Sequence, residues 1–442
     1  MQLVHYQLLI FWLLASANDI WAADAGTVGA ATKIVTQNAI KTADTVWMMV
    51  ATALVLLMTM PGIALFYSGM VRKKNVINTM ANTVVIAAIV SLLWFIYGYS
   101  LAFTTGNIWI GGMERMLFAG FDYVQTTGEI SINLMAPTIP ESVFAMFQLT
   151  FAIITAALIV GACVERMRFT AMIWFISLWL LLVYVPIAHW VWSPVGWLAQ
   201  LGALDFAGGA VVHINAGASG LICAWFLGPR RGYGREAFEP YSLALTMAGT
   251  GLLWIGWFGF NAGSALSAGG RAGLAMLVTH IAAASGALTW MMMELVMRER
   301  ASLLGLCSGV VAGLVAVTPA AGFIAPKSAI IIGCLSGITC YVGATSFKKH
   351  IGIDDSLDVF GIHGIAGFMG AIATGLLNDH TISGVNSDVT VQALAAFAVL
   401  IYSGLVSLLI LSLIQLFMEV RVDESSEQLG LDISEHLERI GA

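Results

Sequence analysis

Residues 391–418 read VQALAAFAVLIYSGLVSLLILSLIQLFM, from Val391 to Met418, with no charged side chain and no proline. A helix rises about 1.5 Å per residue, so this stretch is long enough to cross the ~30 Å hydrocarbon core of a bilayer. Lipid offers no partner to backbone N–H and C=O groups, and a helix satisfies them within one segment. Working back from Val391, similar apolar runs lie near Val46–Tyr67, Met80–Phe103, Val143–Cys163, Ala171–Val191, Phe206–Leu227 and Tyr241–Gly263. Four more lie near Gly273–Met297, Ser302–Ala321, Ser328–Phe347 and Ser356–Leu377. The 442-residue chain is 59% hydrophobic and only 10% charged, against about 25% charged in soluble domains. The expectation is an all-α integral membrane protein with eleven transmembrane helices.

The basic residues orient it. With the amino terminus outside, fourteen of the nineteen Lys and Arg residues fall in inner loops and the tail, from Arg72, Lys73 and Lys74 to Arg421 and Arg439. Only Lys33, Lys41, Arg115, Arg271 and Lys327 fall outside. Positive charge concentrates on the cytoplasmic side, so the N-terminus is placed outside and the C-terminus inside a multi-pass inner (plasma) membrane protein. The net charge of −6 gives no basic surface for nucleic acid. All five cysteines lie in apolar segments, which points to buried thiols rather than disulfides or thiolate metal ligands.

The ends carry less. Leu8–Ala15 followed by Trp21-Ala22-Ala23 reads as a cleavable signal peptide over residues 1–23, with an uncleaved first helix as the alternative because its leading region lacks Lys and Arg. Residues 24–45 then form a periplasmic N-terminal segment. The outer loop Thr104–Pro140 receives no chemistry. Residues 419–442 form a cytoplasmic tail whose Leu431–His436 segment is either a short helix or disordered.

Ionisable residues inside spans are costly, about 2.5–3.5 kcal/mol at a helix centre, so the few present are informative. His213 lies eight residues after Asp205, and His363 eight residues after Asp355. Each sits ~12 Å along its helix, and the two spans run in opposite directions. Leu204-Asp205-Phe206 before one histidine is echoed by Leu357-Asp358-Val359 before the other. A 5+5 inverted repeat plus one extra helix makes the histidines symmetry mates at the repeat interface, where transporter sites lie. Glycines at 361, 364, 367 and 370, and at 209, 217 and 220, allow close approach of the two helices.

A lone buried histidine is more often a packing residue with one satisfied hydrogen bond. Matched depth and context favour a functional pair, able to pass a hydrogen bond between rings. Metal or haem ligation is the weaker reading, since further ligands are not evident, and no metal or other cofactor is expected. His189 and His280 read as structural. Asp205, at a helix start, reads as a cap in preference to a cation ligand, and Asp358 as structural support.

Trp254–Ser264 (WIGWFGFNAGS) lies at the outer end of the sixth span, with Trp192 at the outer end of the fourth. Interface aromatics are commonly an anchoring belt. Aromatic faces with one hydroxyl also suit a small cation, and Phe147 and Phe151, one turn apart, suit an apolar gate beneath it.

These motifs carry a family resemblance. Pro61–Gly69 (PGIALFYSG), Asp205–Gly217 (DFAGGAVVHINAG), the Trp254–Ser264 run, Thr318–Gly322 (TPAAG) and Asp354–Gly364 (DDSLDVFGIHG) occur in order. Together they make residues 46–418 closely resemble the bacterial Amt branch of the ammonium transporter (Amt/Mep/Rh) superfamily. The resemblance implies a homotrimer in the lipid bilayer, with one pore per subunit and no enzymatic activity. It implies that Trp192, Phe151 and Ser264 recruit ammonium, that Phe151 and Phe260 form a stacked gate, and that His213 and His363 are the twin histidines of a pore also lined by Trp257. Asp205 matches a supporting aspartate at the outer entrance. The Gly430–His436 tail resembles a docking region for a PII-type regulatory protein. Ser68, Ser193-Pro194-Val195 and Ala157 depart from the family pattern.

The resulting expectation is recruitment of ammonium, loss of a proton, and conduction of ammonia past the histidines, with or without that proton. An ammonium sensor signalling through the tail and a haem-binding redox protein are the alternatives, and carbon dioxide conduction is disfavoured by Trp192 and Ser264.

Overall fold

The computed structural model describes residues 31–441; the expected signal peptide lies outside them. Among the described residues, ten helices are long and apolar enough to cross a membrane. They are α1 (Thr42–Met70), α2 (Lys73–Phe103), α3 (Glu141–Cys163), α4 (Phe169–Gln200), α5 (Gly209–Leu227), α6 (Leu243–Ala262), α7 (Gly270–Arg298), α9 (Pro326–Ile351), α10 (Phe360–Leu377) and α11 (Val389–Gln415). The span expected at Ser302–Ala321 is a shorter apolar helix, α8 (Leu303–Val317), of 15 residues. It ends where Thr318-Pro319 begins a turn, since proline cannot donate to the preceding helical turn.

Polar residues at the ends of the apolar runs start several helices. Ser242 accepts the Leu245 N–H, Ser302 that of Gly305, and Asp388 that of Thr390, each satisfying a donor that the first turn leaves free. The expected boundaries follow hydropathy alone. The structure instead starts α2 at Lys73, because helix propagation continues through the polar Asn75–Asn82 stretch.

On α11, Leu394, Phe397, Ile401, Leu405, Leu409 and Leu413 are exposed at helical spacing, a stripe suited to lipid. Its opposite face is buried, and there Ser403 donates to the side-chain oxygen of Asn215 and Ser407 to Ser219, both on α5. Lipid is as apolar as leucine, so such polar contacts and small residues, rather than hydrophobicity, join helices in a bilayer. Helices α5 and α10 cross closely. A Cβ added to Gly217 would lie 2.5 Å from the Gly364 Cα, and one on Gly367 3.0 Å from the His213 Cβ.

The all-α expectation needs one correction. A three-stranded antiparallel sheet, in the order β1-β3-β2, joins β1 (Thr32–Thr36) to β2 (Tyr123–Val124) and β3 (Glu129–Asn133). It ties the segment before α1 to the long loop before α3. Arg115 pins that loop, reaching Glu141 at 3.2 Å and the Thr32 hydroxyl at 2.8 Å.

At the opposite end, the tail is ordered. Helices α12 (Glu424–Leu429) and α13 (Leu431–His436) pack beside α2. There Asp432 accepts the Asn78 N–H, Asn75 accepts the Leu431 N–H, and the His436 imidazole meets Asn78. The helix alternative for Leu431–His436 is the one observed. Nearby, Arg230 bonds Asp354 and Glu165, and Arg72 also holds Glu165. Burial alone would raise Glu165, but Arg230 and Arg72 outweigh it and hold the carboxyl below its ordinary range. Burial likewise pushes Asp354 up, and the hydrogen-bonded Arg230 guanidinium more than reverses it.

Candidate conduction site

A cavity opens at the sheet-bearing end, lined by Phe147, Gln148, Phe151, Trp192, Ser264 and neighbouring apolar side chains. α3 supplies the first three, Trp192 lies on α4 just before the Ser193 turn, and Ser264 follows α6. Trp192 meets Phe151 edge-on at 5.7 Å between ring centroids and stacks on Phe103 at 6.5 Å. Its indole N–H donates to the Asp205 carbonyl at 3.0 Å. The Ser193-Pro194-Val195 departure thus lies in a turn whose two ends are fastened together. Ser264 donates its hydroxyl to the Phe260 carbonyl at 2.8 Å, which leaves its oxygen lone pairs free to accept.

Phe151, which lines the cavity, packs on Phe260 with ring centroids 4.3 Å apart. Phe147, expected with Phe151 in an apolar gate and among the pore residues, lines the same cavity with its ring 4.9 Å from that of Phe151. Below Phe260 the series of rings continues. Phe260 stacks on His213 at 5.9 Å, Trp257 on His213 at 5.4 Å, and His213 on His363 at 5.3 Å. The Trp257 indole is held by the Thr318 hydroxyl at 2.9 Å. Phe151, Phe260, Trp257 and both histidines are buried.

Local backbone explains how the imidazoles are aimed. Both lie in single π-turns, Gly209–Ile214 and Phe360–Gly364, and Phe260 lies in a third, Phe258–Ala262. A turn widened by one residue rotates the side chains beyond it about the helix axis, and such turns recur at functional sites. The turn before His213 starts from the left-handed Gly208, φ 111°, a conformation glycine adopts without Cβ strain. The Asp205 carboxylate accepts four backbone N–H groups there, from Gly208, Gly209, Ala210 and Val211, at 2.5–3.1 Å.

On α10 the equivalent cap is Asp355, which accepts the Val359 and Phe360 N–H groups at 3.0 and 2.8 Å. Asp358, expected as structural support, pairs with Lys348 at 2.8 Å and carries a left-handed φ of 57°. The offset of eight residues to His363 singles out Asp355, whereas the Leu-Asp echo points to Asp358. His189 spans the Ala102 and Asn107 carbonyls at 2.9 and 2.6 Å, away from the histidine pair.

Membrane-length helices define a multi-pass membrane protein, and they carry this cavity and a buried imidazole pair. The sequence pattern of the Ammonium Transporter Family matches residues 46–440, and the chain belongs to that family. It is 46% identical over 407 residues to the ammonium transporter of Bacillus subtilis, covering 90% of this chain and 98% of that protein. It is 44% identical to the ammonium transporter of Aquifex aeolicus, covering 90% and 93%. The crystal structure of Saccharomyces cerevisiae Mep2 superposes with a TM-score of 0.80 at 35% identity, covering 88% of this chain and 89% of that one. A protein described as a sensor Amt protein superposes with a TM-score of 0.81 at 27% identity, covering 89% and 98%.

Proposed function

We propose that the protein transports ammonium, recruiting the ion at the outer cavity and conducting ammonia past His213 and His363. The observation that carries this reading is the unbroken series of rings from Trp192 and Phe151, through Phe260, to the two imidazoles. In the cavity, the faces of Phe151 and Trp192 attract a cation, and Ser264 accepts one of its N–H groups. Below the Phe151–Phe260 closure the path runs between buried rings, and an unpaired charge there is strongly penalised. Ammonium therefore gives up a proton, becoming neutral ammonia, which hydrogen-bonds to imidazole. The His213 Nε2 is buried without a protein partner and is placed to meet that solute. The released proton either returns to the outer solution or crosses along the histidine pair.

The same reading includes eleven spans, with α8 as the eighth, in a 5+5 inverted repeat with one extra helix. It places the N-terminus outside and the C-terminus inside the inner membrane, in a homotrimer. A PII-type protein is the proposed partner of the docked tail. Trp192, Phe151 and Ser264 bind the ion, and Phe151 and Phe260 gate its entry. His213, His363, Trp257 and Phe147 line the pore, and Asp205 and Asp358 support it.

Sensing is the second reading, motivated by the likeness to a protein described as a sensor. Measuring ammonium-evoked flux in proteoliposomes decides between them, because a sensor that conducts little gives no saturable current. Haem is a poorer fit, since the two imidazoles stack directly on each other and leave no gap for a macrocycle.

A further inference from the structure

One polar group in the outer cavity has no task in this transport scheme. Gln148 lies on α3 between Phe147 and Phe151 and lines the same cavity. It is only 6% exposed, and its Oε1 is buried with no hydrogen-bond partner. Buried polar atoms are nearly always paired, so each exception asks what satisfies it. The polar neighbours cannot: the Trp192 indole N–H is given to Asp205 and the Ser264 hydroxyl to Phe260. An occupant of the cavity that carries its own N–H donors can.

We propose that Gln148 is a direct ligand of the recruited cation, a conclusion that rests on reading this cavity as the ammonium site. Ammonium has four N–H donors directed to the corners of a tetrahedron. Two find oxygen acceptors, Gln148 Oε1 and Ser264 Oγ, and the others face the Phe151 and Trp192 rings. A side-chain amide can turn its oxygen or its nitrogen toward the cavity, and a cation selects the oxygen. The site then recognises donor directions as well as charge. Two oxygens form a poor shell for a bare alkali ion, which needs many carbonyl-type ligands to replace its water.

The test is ammonium-evoked current from the full-length protein in proteoliposomes. Gln148→Leu, and Gln148→Met as a second apolar variant in case the first misfolds, are expected to raise the half-saturating ammonium concentration roughly tenfold or more. Maximal current stays near wild type. Gln148→Glu keeps an acceptor oxygen and is expected to restore, or improve on, wild-type half-saturation. Ser264→Ala and Trp192→Leu serve as references. Unchanged half-saturation in Q148L and Q148M, with a shift in the references, overturns the role of Gln148 and leaves the cavity reading intact. A loss of maximal current with no change in half-saturation also overturns it, since packing alone would act so. If the references do not shift either, the cavity reading itself fails.

Discussion

The Nδ1 atoms of His213 and His363 lie 3.3 Å apart, facing each other from α5 and α10. One nitrogen must donate and the other accept, so two neutral tautomer arrangements of the pair exist. A ring that donates through Nδ1 presents an accepting Nε2, and its partner presents a donating one. A proton passed through the pair exchanges these roles, and the rings must reset before a second follows. The geometry thus suits both orientation of ammonia and relay of its proton.

Asp205 sets the first imidazole. Asp205→Ala removes the acceptor for four N–H groups and is expected to cost about 2 kcal/mol or more. Its unfolding midpoint in detergent should fall, together with flux. Asp205→Asn keeps one side-chain oxygen and should lie between the two. An Asp205→Ala protein with wild-type midpoint and flux would remove the cap from the account.

Gly217→Ala tests the α5–α10 crossing. The added methyl meets the Gly364 backbone, which has no rotamer to move, so the helices must separate. Overpacking of this kind costs about 1–3 kcal/mol. It also parts the two rings, so flux should fall more than the amount of folded protein does. Size-exclusion profiles beside transport rates measure both.

Arg230→Leu should change how stability depends on pH. In the wild type, Glu165 and Asp354 are held below the ordinary carboxylate range, so their contribution is present above about pH 4 and lost on further acidification. Thermal midpoints should be flat from pH 5 to 8 for this network. Without the guanidinium, burial of Asp354 dominates and raises its carboxyl, which then favours the protonated form. Breaking a buried ion pair costs about 3–5 kcal/mol. The deficit of the variant should be smaller at pH 5 than at pH 8, and a deficit independent of pH would contradict the assignment.

Much of the fold was legible because lipid imposes one rule on every span: an apolar run long enough to close its own hydrogen bonds. The histidine pair was legible from the shared offset to Asp205 and Asp355. The sheet was not, because its pairing joins Thr32 to Asn133 and five-residue strands carry little local pattern. The role of Asp355 was obscured by the Leu-Asp echo at Asp358, where a left-handed residue shifts the backbone register. Gln148 gave no signal, since a single glutamine in an apolar run reads as tolerated polarity until its oxygen is seen to lack a partner. The place of Phe147 depends on side-chain direction in the cavity, which spacing along α3 does not fix.

The central claim is passage of ammonia along the imidazole pair, and solid-supported-membrane current on ammonium addition tests it most directly. Wild-type protein should give a saturable, ammonium-selective signal. His213→Ala combined with His363→Ala should abolish the current or uncouple it from ammonium, admitting potassium. Wild-type current with unchanged selectivity in that double variant would contradict the account.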